Sequence, residues 1–261
     1  WDSPVMSGRA LRSGDYDATE ARSSSTRRGE TSEVRLIGRD ADVALVAVGV
    51  VVAVRAHAAH QAIGQEALRL GVVPVLGGAL LEHAVFVQAA QERSDGVAAN
   101  LLVKRLGGPA AVTAKFRDMG DTVTRLDRYE PDLGLVLSAD LRDTTTPLAM
   151  AQLVRRITTG DLLKSGSREH LLLWMQNTGT GPNRLRAGLP SEWRTGNKTG
   201  TGRTEGTTNK CNDVAITFPS GMPPIVIAAY FDSGEYTAQI ERRHENVLAE
   251  VGRIAAQWAV G

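Results

Sequence analysis

Two short runs of β-branched and aromatic residues, D-V-A-I-T-F (213–218) and I-V-I-A-A-Y-F (225–231), are joined by P-S-G-M-P-P, and no other feature narrows the fold as much. Runs of that length and composition read as strands, and the prolines and glycine between them predict an antiparallel hairpin. Behind the hairpin, Ile240, Val247, Leu248, Val251, Ile254 and Trp258 recur at helical spacing. The tail is therefore an amphipathic helix that can lie on the sheet.

Helical signals dominate the stretch before it. Ser94 and Asp95 can cap a helix with Val97, Ala98, Leu101, Leu102 and Leu106 on its apolar face, and Gly107-Gly108-Pro109 stops it. Pro109 suits the first turn of a second helix carrying Val112, Phe116 and Met119 and ended by Gly120. Pro147 opens a third, with Met150, Leu153, Val154 and Ile157, and S-R-E-H-L-L-L-W-M (167–175) forms a fourth. Helices in one block and strands in another make an α+β layout, with a helical lobe over about 94–178 and a sheet with its C-terminal helix over about 193–261.

The chain has a seam near residue 93. Residues 1–93 hold ten arginines but no lysine, asparagine or cysteine, whereas residues 94–261 hold five lysines and seven asparagines. The first part reads as an atypical N-terminal segment, polar and disordered over 13–32, with the valine-rich run 43–54 a buried strand or nothing. That run of twelve is too short to span a bilayer, and its internal position makes it a poor secretion signal. A first residue Trp1 is expected of a processed protein or a fragment of a longer reading frame.

Charge excludes some partners. Thirty basic side chains face 29 acidic ones, so no field points to nucleic acid or to an anionic membrane, and a small molecule is the better ligand. Cys211 is alone, and His57, His60, His83, His170 and His244 form no ligand motif, so neither a disulfide nor a metal is expected.

Three stretches carry chemistry, in this order: S-D-G (94–96), R-Y-E-P-D-L-G (128–134) and K-T-G-T-G (198–202). Glu130 lies in a segment of about fifteen residues without apolar periodicity, bracketed by Arg128 and Asp143. Such a segment fits a compact Ω-loop whose ends are held by an ion pair. Lys198 follows Asn197, which excludes a phosphate-binding loop.

With these motifs, and with L-G-G-P-A-A-V-T (106–113), T-R-L-D-R-Y-E-P-D-L (124–133), D-T-T-T-P (143–147), L-R-A-G-L-P (185–190), W-R-T-G-N-K-T-G-T-G (193–202) and N-D-V-A (212–215), residues 94–261 resemble the class A serine β-lactamases. The resemblance implies the fold shared with penicillin-binding proteins, an antiparallel sheet flanked by helices plus a helical lobe. It implies a monomeric periplasmic or secreted bacterial hydrolase that opens β-lactams through a serine acyl-enzyme and needs no cofactor. Ser94 would pass a proton to the ring nitrogen, Lys198 and Thr199 would hold the substrate carboxylate, and the Thr201 N–H would form half of the oxyanion hole within the Gly200-Thr201 turn of the strand. Glu130 would activate the deacylating water, with Arg128 and Asp143 as the structural clasp of its loop.

Departures bear on substrate range. Gly96 stands where the family has an asparagine that holds the acylamino group, Gly134 stands where an asparagine helps place the water, and R-T-E-G-T-T-N-K-C (203–211) is longer than usual. The larger departure is the nucleophile. The family motif is S-x-x-K on a helix upstream of Ser94, and no serine of this chain has a lysine three residues on. The nearest forms, S-T-R-R (25–28) and S-E-V-R (32–35), place an arginine there, which stays protonated and cannot act as a base. Residues 1–93 show neither the helix that would bear the nucleophile nor the outer strands of the sheet.

The leading reading is thus a class A β-lactamase whose nucleophile is unassigned, and the alternative is a non-catalytic remnant or fusion. A penicillin-binding transpeptidase shares the serine and K-T-G elements, but it has no use for a clasped Glu130. The composition break fits a shifted or foreign reading frame for residues 1–93. In the coding DNA, a neighbouring frame upstream of Ser94 is expected to contain an S-T-x-K-like segment, and its absence there rules this origin out.

Overall fold

The computed structural model describes residues 20–27, 30–39, 44–51, 79–135 and 140–260, with side chains from residue 85 onward. Strands β1 (Glu20–Arg27), β2 (Glu30–Arg39) and β3 (Ala44–Val51) precede helices α1 (Ala79–Arg93), α2 (Gly96–Arg105), α3 (Pro109–Asp118), α4 (Pro147–Thr159), α5 (Ser165–Gln176) and the short α6 (Leu185–Gly188). Strands β4 (Arg194–Gly202), β5 (Lys210–Phe218) and β6 (Ile225–Asp232) follow, then α7 (Arg242–Val260). One six-stranded sheet runs β1-β2-β3-β6-β5-β4, with β3 and β6 parallel and the other neighbours antiparallel.

The expected hairpin is β5–β6, in a register that sets Thr217 opposite Ile225 and Asn212 opposite Tyr230. Both of its faces are covered, which is why I-V-I-A-A-Y reads as a continuous apolar run and not as an alternation. Ile225, Ile227 and Ala229 meet Leu248, Val251 and Ala255 of α7, while Val226, Ala228 and Tyr230 meet Ala151 of α4 and Met175 of α5. Asp95 caps α2 by accepting from the Ala98 N–H at 2.9 Å, and Thr146 caps α4 in the same way at 3.2 Å.

Three expectations need correction. The polar stretch thought to be disordered contributes β1, and residues 1–93 do supply outer strands. E-A-R-S-S-S-T-R has no apolar alternation to betray a strand; ladder hydrogen bonds to β2 carry it, at an edge where polar side chains are suitable. Helix α1 was not foreseen, although its end is stitched to the core: Gln91 Nε2 donates to the Asn197 carbonyl (2.9 Å) and the Gly179 N–H donates to the Glu92 carbonyl (3.0 Å). Third, the apolar stripe of α2 is not core. Val97, Leu101 and Leu106 are 47%, 41% and 56% exposed, only Ala98 is buried, and α3 buries no residue at all.

The other face of the sheet is packed to contact. A Cβ added to Gly252 of α7 would overlap the Leu185 carbonyl of α6. Gly252→Ala is therefore expected to lower stability by about 1–3 kcal/mol in urea unfolding. Gly166 in α5 has open space around it, and Gly166→Ala there is expected to be neutral or to stabilise by up to about 1 kcal/mol.

Candidate active site

Strand β4 places Lys198 opposite Val214 of β5 and Thr199 opposite Asp213. The Lys198 ammonium donates to Ser94 Oγ and to the Thr199 carbonyl (2.8 Å). Ser94 lies between α1 and α2 with a left-handed φ of 55°, and Asp95 next to it does the capping, so the serine hydroxyl is left for the lysine. Thr199 Oγ1 donates to Thr180 Oγ1 at 2.9 Å. Gly200 and Thr201 are fixed by a buried arginine: Arg184 donates to the carbonyls of Gly200 (3.0 Å) and Asn212 (2.8 Å) and to Thr201 Oγ1 (2.8 Å), and pairs with Glu245 at 3.4 Å.

Glu130 is gripped through its backbone. Asn100 of α2 donates from Nδ2 to the Glu130 carbonyl (2.8 Å) and accepts at Oδ1 from the Glu130 N–H (2.9 Å), pairing with it as a neighbouring strand would. Gly96, one turn earlier on the same helix face, lets the acid come close: a Cβ there would stand 3.3 Å from Glu130 Cβ. The peptide between Glu130 and Pro131 is cis. Arg128 Nε meets Asp143 Oδ2 at 2.6 Å, and Asp143 Oδ1 accepts from the N–H groups of Asp127 (2.6 Å) and Arg128 (3.0 Å). Asp127 returns the contact by accepting from the Asp143 N–H at 2.8 Å, so the feet of the loop are locked from both sides.

These distances bring Glu130 of the loop against Gly96 and Asn100 of α2, with Ser94 at the approach to that helix, and Lys198, Thr199, Gly200 and Thr201 together on β4. Ser25 and Ser32 stand elsewhere, opposite each other on β1 and β2. Residues 32–35 lie within a strand, so S-E-V-R does not form the helical turn that a serine–base pair of this spacing needs. Sequence reasoning missed Arg184, Asn100, Gln91 and the buried pair in which Asn197 Nδ2 donates to Asp213 Oδ1 at 2.9 Å. Their signal lies in geometry and not in spacing: a lone Asn or Arg says nothing until its acceptors are known. Among the described residues, no three His, Cys, Asp or Glu side chains gather as metal ligands would, and no helix is long and apolar enough to cross a membrane.

The model of the β-lactamase enzyme family matches residues 82–259. The chain belongs to that family. Its relatives place it in class A. The chain is 45% identical to the CTX-M-25 β-lactamase of Escherichia coli over 166 residues, which are 64% of this chain and 55% of that one. It is 40% identical to the carbapenem-hydrolysing β-lactamase KPC of Klebsiella oxytoca over 169 residues, 65% of this chain and 56% of that one. The solved ancestral (GNCA) class A β-lactamase superposes with a TM-score of 0.63 at 46% identity, covering 67% of this chain and 65% of that one. A double mutant of the last common ancestor of Gram-negative class A β-lactamases reaches 0.65 at 42% identity, covering 74% and 69%. The chain spans little more than half the length of the curated relatives it matches.

Electrostatics tune the site toward neutrality. Burial pushes the Glu130 carboxyl up to about 7, against the nearby Lys198 charge that lowers it and with Asp143 adding to the rise. Desolvation pulls Lys198 down to about 8, opposed by Asp213, so it keeps its charge at neutral pH. Asp213 is pushed up to about 7 by burial, with the Asn197 hydrogen bond resisting. For Glu130, the folded chain holds a proton that the unfolded chain has released, so folding stability falls as pH rises from about 4.5 to about 7. Glu130→Gln cannot ionise. Its urea midpoint is expected to exceed the parent's at pH 7.5 and to converge with it near pH 4, whereas a lower midpoint at pH 7.5 would show that the carboxylate is not disfavoured by its surroundings.

Proposed function

We propose that the site around Glu130, Ser94 and Lys198 is the substrate-anchoring and deacylating part of a class A serine β-lactamase. The observation that carries this reading is the pairing of a carboxyl held near neutrality with a charged lysine whose ammonium reaches a serine hydroxyl. A general base works best when its pKa lies near the working pH. In acylation, a nucleophilic serine forms a bond to the lactam carbonyl carbon, the ring C–N bond breaks, and Ser94 delivers a proton to the nitrogen. Lys198 and Thr199 hold the substrate carboxylate meanwhile, and the Thr201 N–H meets the oxyanion. In deacylation, Glu130 takes a proton from water as that water attacks the acyl carbon, and the ester bond to the serine breaks.

One class A relative is a carbapenem-hydrolysing β-lactamase, which supports β-lactams as the substrate class; the same reading makes this a monomer that works in the periplasm or outside the cell. Gly96 supports an opening wider on the acylamino side, since no amide projects there. The nucleophile is unassigned, because none of the serines of this chain is followed by a lysine one helical turn on. Losing a serine nucleophile costs about a million-fold in turnover, on the order of 8 kcal/mol. Chain 1–261 is accordingly expected to hydrolyse a chromogenic cephalosporin no faster than buffer.

The direct test uses a hybrid in which the N-terminal part of the Escherichia coli CTX-M-25 β-lactamase replaces residues 1–93. The hybrid is expected to turn over penicillin. With Glu130→Gln it is expected to acylate normally but to release the acyl group about 100-fold or more slowly, so that mass spectrometry finds a persistent adduct. Unimpaired turnover by that variant would remove Glu130 from the reaction.

A further inference from the structure

Among the described residues, two other than glycine hold a left-handed φ, Ser94 at 55° and Asp143 at 54°. That backbone is costly for a residue with a Cβ and persists only where the surroundings enforce it. Asp143 has its reason in the clasp of the loop. Ser94 has none in the fold, because the cap of α2 is made by Asp95, whose side chain accepts from the Ala98 N–H. What the turn at Ser94 does is hold its Oγ against the Lys198 ammonium, 104 positions away in the chain. The serine proton has no other acceptor among the described residues. Lys198 is held as well, through the Thr199 carbonyl at 2.8 Å and through the Arg184 brace on Gly200. Desolvation pulls the lysine down to about 8; of the charged groups facing it, Asp213 of β5 and Glu130 of the loop raise it, and Arg184 ahead of α6 lowers it. Arg125 and Asp143 line the same cavity as Lys198 but are paired elsewhere, with Asp127 and Arg128. At pH 8 about half of the molecules therefore present a neutral amine to a serine hydroxyl.

We propose that Ser94 and Lys198 form a nucleophile–base pair in their own right, with which the chain as it stands hydrolyses small, activated acyclic esters such as phenyl esters. An amine placed to take a hydroxyl proton is one of the general ways to activate a serine. In the first step Ser94 Oγ bonds to the acyl carbon and its proton passes to Lys198 Nζ; the bond from the acyl carbon to the phenolic oxygen breaks, and Lys198 returns the proton to that oxygen. In the second step water attacks the acyl carbon and gives a proton to Lys198, the ester bond to Ser94 breaks, and Lys198 hands the proton back to Oγ. Ser94 is half-buried, and next to it Gly96 adds no side chain beside Glu130, so the room is for a small acyl group. A lactam is not the substrate of this pair. In the proposed β-lactamase geometry Ser94 faces the ring nitrogen and gives its proton there, whereas an acyclic ester is free to turn its carbonyl carbon toward Oγ. The same contact would thus run in the opposite direction, with the serine giving its proton to the lysine.

The test treats the full chain with a fluorophosphonate and, separately, with p-nitrophenyl acetate. With the fluorophosphonate, Oγ bonds to phosphorus, fluoride leaves and the serine proton passes to Lys198; peptide mapping by mass spectrometry is expected to find the adduct on Ser94. The rate of labelling is expected to rise about tenfold per pH unit below about 8, as Lys198 loses its proton, and to level above it. Release of p-nitrophenol is expected to follow the same profile. Ser94→Ala is expected to abolish both reactions. Lys198→Arg keeps the charge but cannot accept a proton, and it is expected to slow both at least about 100-fold. The mapping and the pH profile are read on the parent chain, so they decide the matter even where a variant misfolds. No adduct, or an adduct only on another serine, overturns the proposal. A rate that climbs with hydroxide and never levels, or that Lys198→Arg leaves unchanged, overturns the lysine as base. The β-lactamase reading is tested apart from this, in the hybrid with penicillin: Ser94 labelling in the chain alone survives if the hybrid is inactive, and penicillin turnover by the hybrid survives if Ser94 stays unlabelled.

Discussion

Arg184 is the interaction on which the site depends. A guanidinium taken out of water needs partners for its N–H donors, and here the acceptors are two strand carbonyls, a threonine hydroxyl and Glu245. By meeting them, it ties β4 to β5 and to α7 at once. Among the described residues strand β4 is at the sheet's edge, with a ladder partner on one side only, and an edge strand without such a brace would fray. The brace keeps Lys198, Gly200 and Thr201 at fixed height, and the Lys198 charge in turn moderates the acid across from it. A substitution at Arg184 would thus be felt at four residues named for chemistry, none of which it replaces.

Rigidity on the other side comes from Asn100. Loops move because their backbone groups bond to water; this loop has Glu130 bonded on both its N–H and its carbonyl to one side-chain amide on a helix. The Arg128–Asp143 pair closes the loop's base, while Asn100 fixes Glu130. Position and closure are separate functions held by separate residues, and only closure left a trace in the sequence.

What was legible follows from this. The helix starts at Asp95, Pro109 and Pro147 and the β5–β6 hairpin were readable because caps, prolines and β-branched runs act locally. The motif residues Ser94, Glu130 and Lys198 were readable as a constellation in order, though each is common alone. Strand β1 was not, since all eight of its residues but Ala21 are polar or charged and it exists through pairing with β2. The side-chain contacts of Arg184, Asn100 and Asn197 span from 11 to 61 positions in the chain, and no local rule sees them. The exposure of Val97, Leu101 and Leu106 was misjudged for a different reason: an apolar stripe announces that a helix wants a neighbour, and says nothing about whether one is there.

The parallel pairing of β3 with β6 joins Val48 to Ala229, so the strand made among the first has its partner made among the last. During synthesis on a ribosome, residues 44–51 must wait for residues 225–232 to emerge before that ladder can form. Until then the edge of β3 is exposed, valine-rich and able to pair with any strand in reach. Speed of translation and access to chaperones, and not only the final contacts, therefore decide how much of this chain reaches the folded sheet.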